Sequence, residues 1–208
     1  LSAYIGTDVR IAFHSTTTDV FYAVIDDFTV GPLAVWTGEV DDDFSNPSNW
    51  SSGDVPDANS DITIASNSVI DISQNITFNS MNISAGASII SSGTMTGPVT
   101  FTRNLPSSDW YLISSPVVGQ DIDAFVSASN LAVGSSGTSN LGFANYDNNT
   151  EVWSYYQSGA TGTGNFIPGK GHSVKSAFSS NNISFTGTFN DADASIALAN
   201  NTNGYNLI

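Results

Sequence analysis

His14 and His172 are the only two imidazoles in this 208-residue chain, and cysteine is absent. A Ser–His–carboxylate triad needs a base beside its serine, and no Gly-x-Ser-x-Gly elbow occurs. A cysteine nucleophile and thiolate metal sites are excluded. Gly169-Lys170-Gly171 lacks both the glycine spacing and the Ser or Thr of a phosphate-cradling loop. Carboxylates are plentiful, since Asp41-Asp42-Asp43, Asp109, Asp121, Asp123 and Glu151 offer pairs of the kind that hydrolyse glycosides. Nothing in their spacing selects two of them, and the chain reads as non-enzymatic.

Two other chemistries have better material. Hard cations such as Ca²⁺ take oxygen ligands from Asp, Asn and backbone carbonyls. Asp41 and Asp43 stand in an acidic triplet, and Asp147 opens the run Asp147-Asn148-Asn149-x-Glu151, which makes all three candidate ligands for a structural Ca²⁺. Neither run completes an EF-hand, which needs Gly sixth and Glu twelfth, and Asp and Asn favour turns in any case. The second chemistry is sugar binding. Trp153, Tyr155 and Tyr156 are aromatics able to stack on pyranose faces, with nearby Asn and Asp to bond hydroxyls. On a strand, Trp153 and Tyr155 share one face while Val152, Ser154 and Tyr156 share the other. At least one of those faces belongs to the core.

The composition narrows the partners. Nineteen acidic residues stand against four basic ones, Arg10, Arg103, Lys170 and Lys175, for a net charge of −15. No basic patch exists to neutralise a phosphate backbone, so nucleic acid and anionic membranes are poor partners. Charged residues make up 11% of the chain, less than half the roughly 25% of ordinary domains. Ser, Thr, Asn and Gly fill that gap. The hydrophobic share of 40% suffices for real cores, and no apolar run reaches the roughly 18 residues of a membrane span.

The elements that would position these residues are almost all strands. Val9, Ile11 and Phe13 alternate on one face, and Phe21 to Val30 continues as a long β-rich run closed by Gly31-Pro32. Residues 33–60 form a linker loop pinned by Trp36 and Trp50, whose indoles read as core pins rather than sugar platforms. Between Asp61 and Thr102, short runs such as Ile62-Thr63-Ile64, Val69-Ile70-Asp71-Ile72 and Met81-Asn82-Ile83 recur between Asn, Ser and Gly turns. Rungs of a β-helix or an antiparallel sandwich both fit, and the short alternation with Asn-rich turns favours rungs.

Within 103–208, Trp110-Tyr111-Leu112-Ile113 reads as a strand ended by Ser114-Ser115-Pro116. Residues 121–131 give the one helix, with Ile122, Phe125 and Val126 on one face and Asp121 as its cap. Phe143 to Tyr156 is a hairpin turning at Asp147-Asn148-Asn149. The last residues, Tyr205-Asn206-Leu207-Ile208, echo Trp110-Tyr111-Leu112-Ile113. That echo suggests the start of a further strand unit and a piece of something longer.

Three segments resemble a known group of proteins. Val9-Arg10-Ile11-Ala12-Phe13-His14 with Ile25-Asp26-Asp27-Phe28-Thr29-Val30 is similar to the last strands of the cleaved-adhesin, or choice-of-anchor, jelly rolls of Bacteroidetes surface proteins. In those sandwiches a closing-strand Asp lies near a structural calcium, which implicates Asp26 and Asp27. Trp36-Thr37-Gly38, Asn49-Trp50, Gly53, Pro56 and Asp61 resemble a segment repeated in large secreted flavobacterial proteins. Residues 99–208 carry Trp110-Tyr111-Leu112-Ile113-Ser114, Tyr146-Asp147, Trp153, Gly169-Lys170-Gly171, Ile183-Ser184-Phe185-Thr186-Gly187 and Tyr205-Asn206-Leu207-Ile208. That order resembles a C-terminal-type module of flavobacterial proteins exported by type IX secretion, with His172 where an aromatic is expected.

The resulting expectation is an all-β chain in four parts: a jelly-roll tail (1–32), the Trp-pinned linker (33–60), β-rungs (61–102) and a β-sandwich-type module with one short helix (103–208). The resemblance implies an extracellular or outer-surface location, contact with the type IX secretion machinery and with other domains of a longer chain, and a non-catalytic structural or adhesive role. The alternative is a carbohydrate-binding accessory region of a secreted polysaccharide-degrading enzyme, with glycans as partners.

Overall fold

Short β-branched runs cut by Asn and Gly turns cannot bury an apolar face alone, and here they do so by stacking. The computed structural model describes residues 33–200 and 202–208, which lie within one compact unit, Gly31–Ile208. Strands β1 (Leu33–Trp36), β2 (Asp61–Ile64), β3 (Val69–Ile72), β4 (Ile76–Thr77), β5 (Ser80–Ile83), β6 (Ser88–Ser91), β7 (Met95–Thr96) and β8 (Val99–Leu105) come first. All their mutual pairings are parallel: β1–β2–β5–β8 on one side, β3–β6 on a second and β4–β7 on a third. Residues 61–98 are therefore two rungs of a three-sided coil, with β1 and β8 continuing one side at either end. Of the two architectures open for 61–102, the rungs occur: the strands of this stretch pair with one another only in parallel.

The rungs repeat every 19 residues, a spacing seen directly where Thr94 N–H donates to the Asn75 side chain and Ser91 Oγ to the Ile72 carbonyl. Ile62, Ile64, Ile70, Ile72, Met81 and Ile83 point inward and are buried. Stacked turns follow the same spacing, with Asn67 and Gly86 both at positive φ (63° and 85°). At the third corner, a Cβ on Gly97 would lie 2.5 Å from the ring of Phe78 and 2.6 Å from its carbonyl oxygen. Glycine there is what lets Phe78 fill the corner.

The segment between β1 and β2 closes one end of the coil. Trp36 and Trp50 are 1% and 3% exposed, meet edge to face at 5.0 Å, and donate their indole N–H groups to the carbonyls of Val69 and Phe44. Both are core pins.

At β8 the pairing changes sense. This strand takes β5 in parallel on one side and β14 (Asn181–Phe189) in antiparallel on the other, and β14 then pairs with β10 (Val117–Val118). A second, antiparallel sheet has the order β12–β11–β13–β9, built from β9 (Trp110–Ser114), β11 (Asn140–Asp147), β12 (Val152–Gln157) and β13 (Gly171–Lys175). The one α-helix among the described residues, α1 (Ile122–Ala128), is capped by Asp121, whose carboxylate accepts from Ala124 N–H at 2.8 Å. Phe125 of α1 stacks on Phe185 of β14 at 4.9 Å and also meets Phe143 of β11 and Phe166. These rings fill the space between the sheets, so the fold is all-β, of sandwich type, with a single short helix.

The last residues differ from the sequence expectation. Tyr205–Ile208 follow an irregular path rather than a strand, because their polar backbone groups find side chains instead of a ladder. Leu207 N–H donates to Asn148 Oδ1, and Tyr205 N–H to Asn203 Oδ1. Leu207 lies against Gly171, where a Cβ would come within 2.6 Å of its Cγ. Residues 1–32, including Asp26, Asp27 and the expected jelly-roll strands, lie outside the described residues.

Candidate functional site

The candidate acidic residues sit in turns whose own donors surround them. Asp41 accepts from Asn49 Nδ2 at 2.6 Å, Asp43 N–H at 3.0 Å and Asn46 Nδ2 at 2.9 Å. The side-chain donors Asn46 and Asn49 are the main reason its pKa falls below the ordinary aspartate value. Asn49, fully buried, also accepts from the backbone N–H groups of Val40 and Asp41. Asp43 accepts from both the N–H and the hydroxyl of Ser45. Asp147 caps the β11–β12 turn by accepting from the N–H groups of Asn149 and Thr150, which lowers its pKa in turn. Among the described residues no three His, Cys, Asp or Glu side chains gather in a metal-binding group.

Tyr156, Trp153 and Tyr155 do not share a face. Tyr156 points toward α1, where its hydroxyl donates to Asp123 at 2.7 Å and its ring meets Phe143 edge on. Thr163 donates to the same carboxylate, so Asp123 ties the 158–166 loop to the helix. His172 also faces inward and is 2% exposed, stacked on Phe143 at 5.2 Å and set edge to face with Phe166 at 4.9 Å. It occupies the place of an aromatic. Its Nδ1 bonds Asn145 Oδ1, its Nε2 has no partner, and burial, with a smaller push from Lys170, lowers its pKa to about 4.

Trp153 and Tyr155 face outward. They are 39% and 42% exposed, and the alternation of β9 places Trp110 and Leu112, at 45% and 59%, on the same outer face. In the middle strands this face carries small side chains. Leu112, Ser173, Ala144 and Tyr155 are register partners across the four strands. The edge strands lie about 14 Å apart at the usual strand spacing, yet the rings of Trp110 and Tyr155 meet with centroids 5.9 Å apart. Both aromatics therefore lean inward over the low floor. Trp153 pairs across β11–β12 with Tyr146, ring to ring at 5.1 Å.

The result is a trough of three neighbouring recesses that share wall residues. The central one, about 320 Å³, lies between Trp110, Leu112, Trp153 and Tyr155 over Ala144 and Ser173. A recess of about 370 Å³ beyond the Trp110–Tyr155 pair reaches Lys175 and Asn140. On the other side, Leu112 and Trp153 also wall a recess of about 470 Å³ that ends at Tyr205, Glu151 and Asn203. Asn203 anchors that end by donating to the Tyr146 hydroxyl and accepting from Tyr205 N–H, while its own N–H bonds Glu151. Among these wall residues, sequence reasoning singled out Trp153 and Tyr155 but not Trp110, Leu112, Tyr146 or Tyr205 as candidate ligand contacts. The available signal was the alternation Trp110-Tyr111-Leu112-Ile113-Ser114, which leaves Trp110 and Leu112 on the face that ends in Ser114.

Set against known protein families, curated proteins and solved structures, the chain matches none. Its class is therefore defined by its own geometry: an all-β protein in which a parallel coil and an antiparallel sandwich share a strand. No helix among the described residues is long and apolar enough to cross a membrane.

Proposed function

We propose that this chain is a non-catalytic structural and adhesive region of a larger secreted or cell-surface bacterial protein. One observation carries the reading: β8 belongs to both the parallel coil and the antiparallel module, so the sandwich whose other sheet bears the outward aromatic face is joined to the coil through a continuous sheet rather than a hinge. Such an arrangement suits presentation of a surface at a fixed distance and orientation. The carboxylates support the same view, since Asp41, Asp123 and Asp147 accept bonds that hold loops.

The resemblance to flavobacterial modules supports a location outside the cell, with the type IX secretion machinery and neighbouring domains of a longer chain as partners. Structural Ca²⁺ at Asp41, Asp43 and Asp147, and at Asp26 and Asp27, belongs to this reading. An antibody raised against the chain should label intact cells or the culture medium of the source organism. Signal confined to the cytoplasmic fraction would overturn the assignment.

A second reading, a carbohydrate-binding accessory region, is favoured by the exposure of Trp153 and Tyr155 on one face beside Trp110.

A further inference from the structure

The outer face of the β12–β11–β13–β9 sheet combines features that packing alone does not require. A sheet face left to water normally alternates into polar residues, whereas this one sets two indoles, two phenols and Leu112 around a floor of Ala144 and Ser173. All four tryptophans of the chain fall among the described residues. Trp36 and Trp50 are sealed in the coil cap, while Trp110 and Trp153 both line the trough.

Charge selects the occupant. The chain carries −15, which repels polyanions, and no Asp, Glu, Lys, Arg or His lines the central recess. Neutral carboxamides and hydroxyls flank it instead: Asn140 and Ser135 at one end, Asn203 and Asn206 at the other. Lys175 and Glu151, one at each end, leave the trough itself near neutral. A ligand complementary to this surface is uncharged, rich in hydroxyls at its edges and flat and apolar on its faces. Those are the properties of a chain of equatorially linked pyranose rings. The rows of residues that span the trough, from Trp110 and Lys175 to Ser114 and Gly171, are four positions apart along the strands, or about 13 Å. That length, open at the sides, suits several consecutive sugar units.

Resting on the carbohydrate-binding reading above, we propose that this trough is a binding site for a neutral, linear β-linked glycan, with Trp110, Trp153 and Tyr155 as stacking platforms and Asn140 and Asn203 at the ends of the bound segment. Trp110 and Tyr155 brace one another, so the platforms are set before ligand arrives and little side-chain freedom is lost on binding.

The test is a calorimetric titration of the whole chain with hexasaccharides of β-1,4-glucose, β-1,4-xylose and β-1,3-glucose, and with a hexamer of galacturonic acid. At least one neutral hexamer should bind with a Kd of about 1 mM or tighter and shield the exposed tryptophans from acrylamide quenching, while the acidic hexamer does not bind. Trp153→Ala should weaken binding by about tenfold or more, with Trp153→Phe retaining most of it. Ile90→Ser, on the exposed side of the coil, should leave it unchanged. Matching far-ultraviolet spectra of the variants separate lost binding from lost fold. No binding by any neutral hexamer, preference for the acidic one, or equal binding by Trp153→Ala overturns the proposal, as does a self-association of the chain that Trp153→Ala abolishes in the absence of glycan binding. The antibody test of location is independent of all these results, so either reading can fail alone.

Discussion

The His172 imidazole has one nitrogen bonded to Asn145 and one bare nitrogen among aromatic rings, so its protonation is coupled to folding. A proton at Nε2 would be a buried charge with no acceptor, which is why burial lowers the pKa from 6.5 to about 4. The unfolded chain takes up that proton as pH falls through 6.5, before the folded chain can. Stability from this group is thus fully present above pH 6.5 and declines between 6.5 and 4, where the total loss is about 3 kcal/mol. Carboxylate effects overlap at the acid end, so the comparison needs a variant that keeps the ring and removes the titration. His172→Phe fits between Phe143 and Phe166. Urea denaturation at steps from pH 7.5 to 4 should show the wild type losing stability relative to His172→Phe across that window. A constant difference would mean that the imidazole titrates normally. The sequence motif led us to expect an aromatic at position 172, and the fold treats the neutral imidazole as one.

Among the elements, the 37–60 cap holds an irregular backbone together through many side-chain bonds. Its 3-10 turn, Pro47–Asn49, delivers Asn49 into the loop, where one carboxamide serves four partners on Val40, Asp41 and Asp43. The two tryptophans foretold a pinned loop, but nothing local revealed that it closes a coil, because the partners of Trp36 and Asp43 lie at Val69 and Asp71.

The 19-residue repeat was hidden for a related reason. Its register pairs Ile70 with Ile89 and Ile76 with Met95, but also Asp71 with Ile90 and Ile72 with Ser91, so shape and turn positions repeat while residue types drift. By contrast, β9, α1 and the β11–β12 hairpin were legible, since alternation, a capping Asp and an Asp-Asn-Asn turn are local signals. The trough was only half legible. Alternation separates Trp153 from Tyr156, but the meeting of Trp110 with Tyr155 depends on the strand order β12–β11–β13–β9.

The acidic side of this cap also tests the calcium proposal. Asp41 and Asp43 accept hydrogen bonds, yet carboxylate oxygens keep lone pairs for a cation. A bound ion would stabilise the folded state by mass action. Melting curves with and without chelator should then differ by several degrees, and superimposable curves would remove Ca²⁺ from the reading.

At the scale of the molecule, the decisive feature is that no linker separates coil from sandwich. β8 gives its Met81, Asn82 and Ile83 partners to the coil and its Phe185, Ile183 and Asn181 partners to the sandwich. Melting either half strips one edge of this strand and exposes backbone groups that were paired. The buried residues likewise run without a break from Trp36 in the cap to Phe185 in the module. Free energy lost at one end is therefore felt at the other, and the described residues should unfold as one cooperative unit.

The tryptophans make this measurable, because Trp36 and Trp50 report on the cap and Trp110 and Trp153 on the sandwich. The double variant Trp110→Phe/Trp153→Phe leaves the buried pair as the tryptophan fluorophores; their urea midpoint under selective tryptophan excitation should coincide with that of the far-ultraviolet signal of the whole β structure. Because the substitutions themselves alter stability, both probes are read on the same variant. A cap transition displaced from the far-ultraviolet transition would mean that β8 acts as a boundary between two independently stable parts. The trough would then be mounted on a joint, and presentation at fixed orientation would no longer describe how this surface meets its partner.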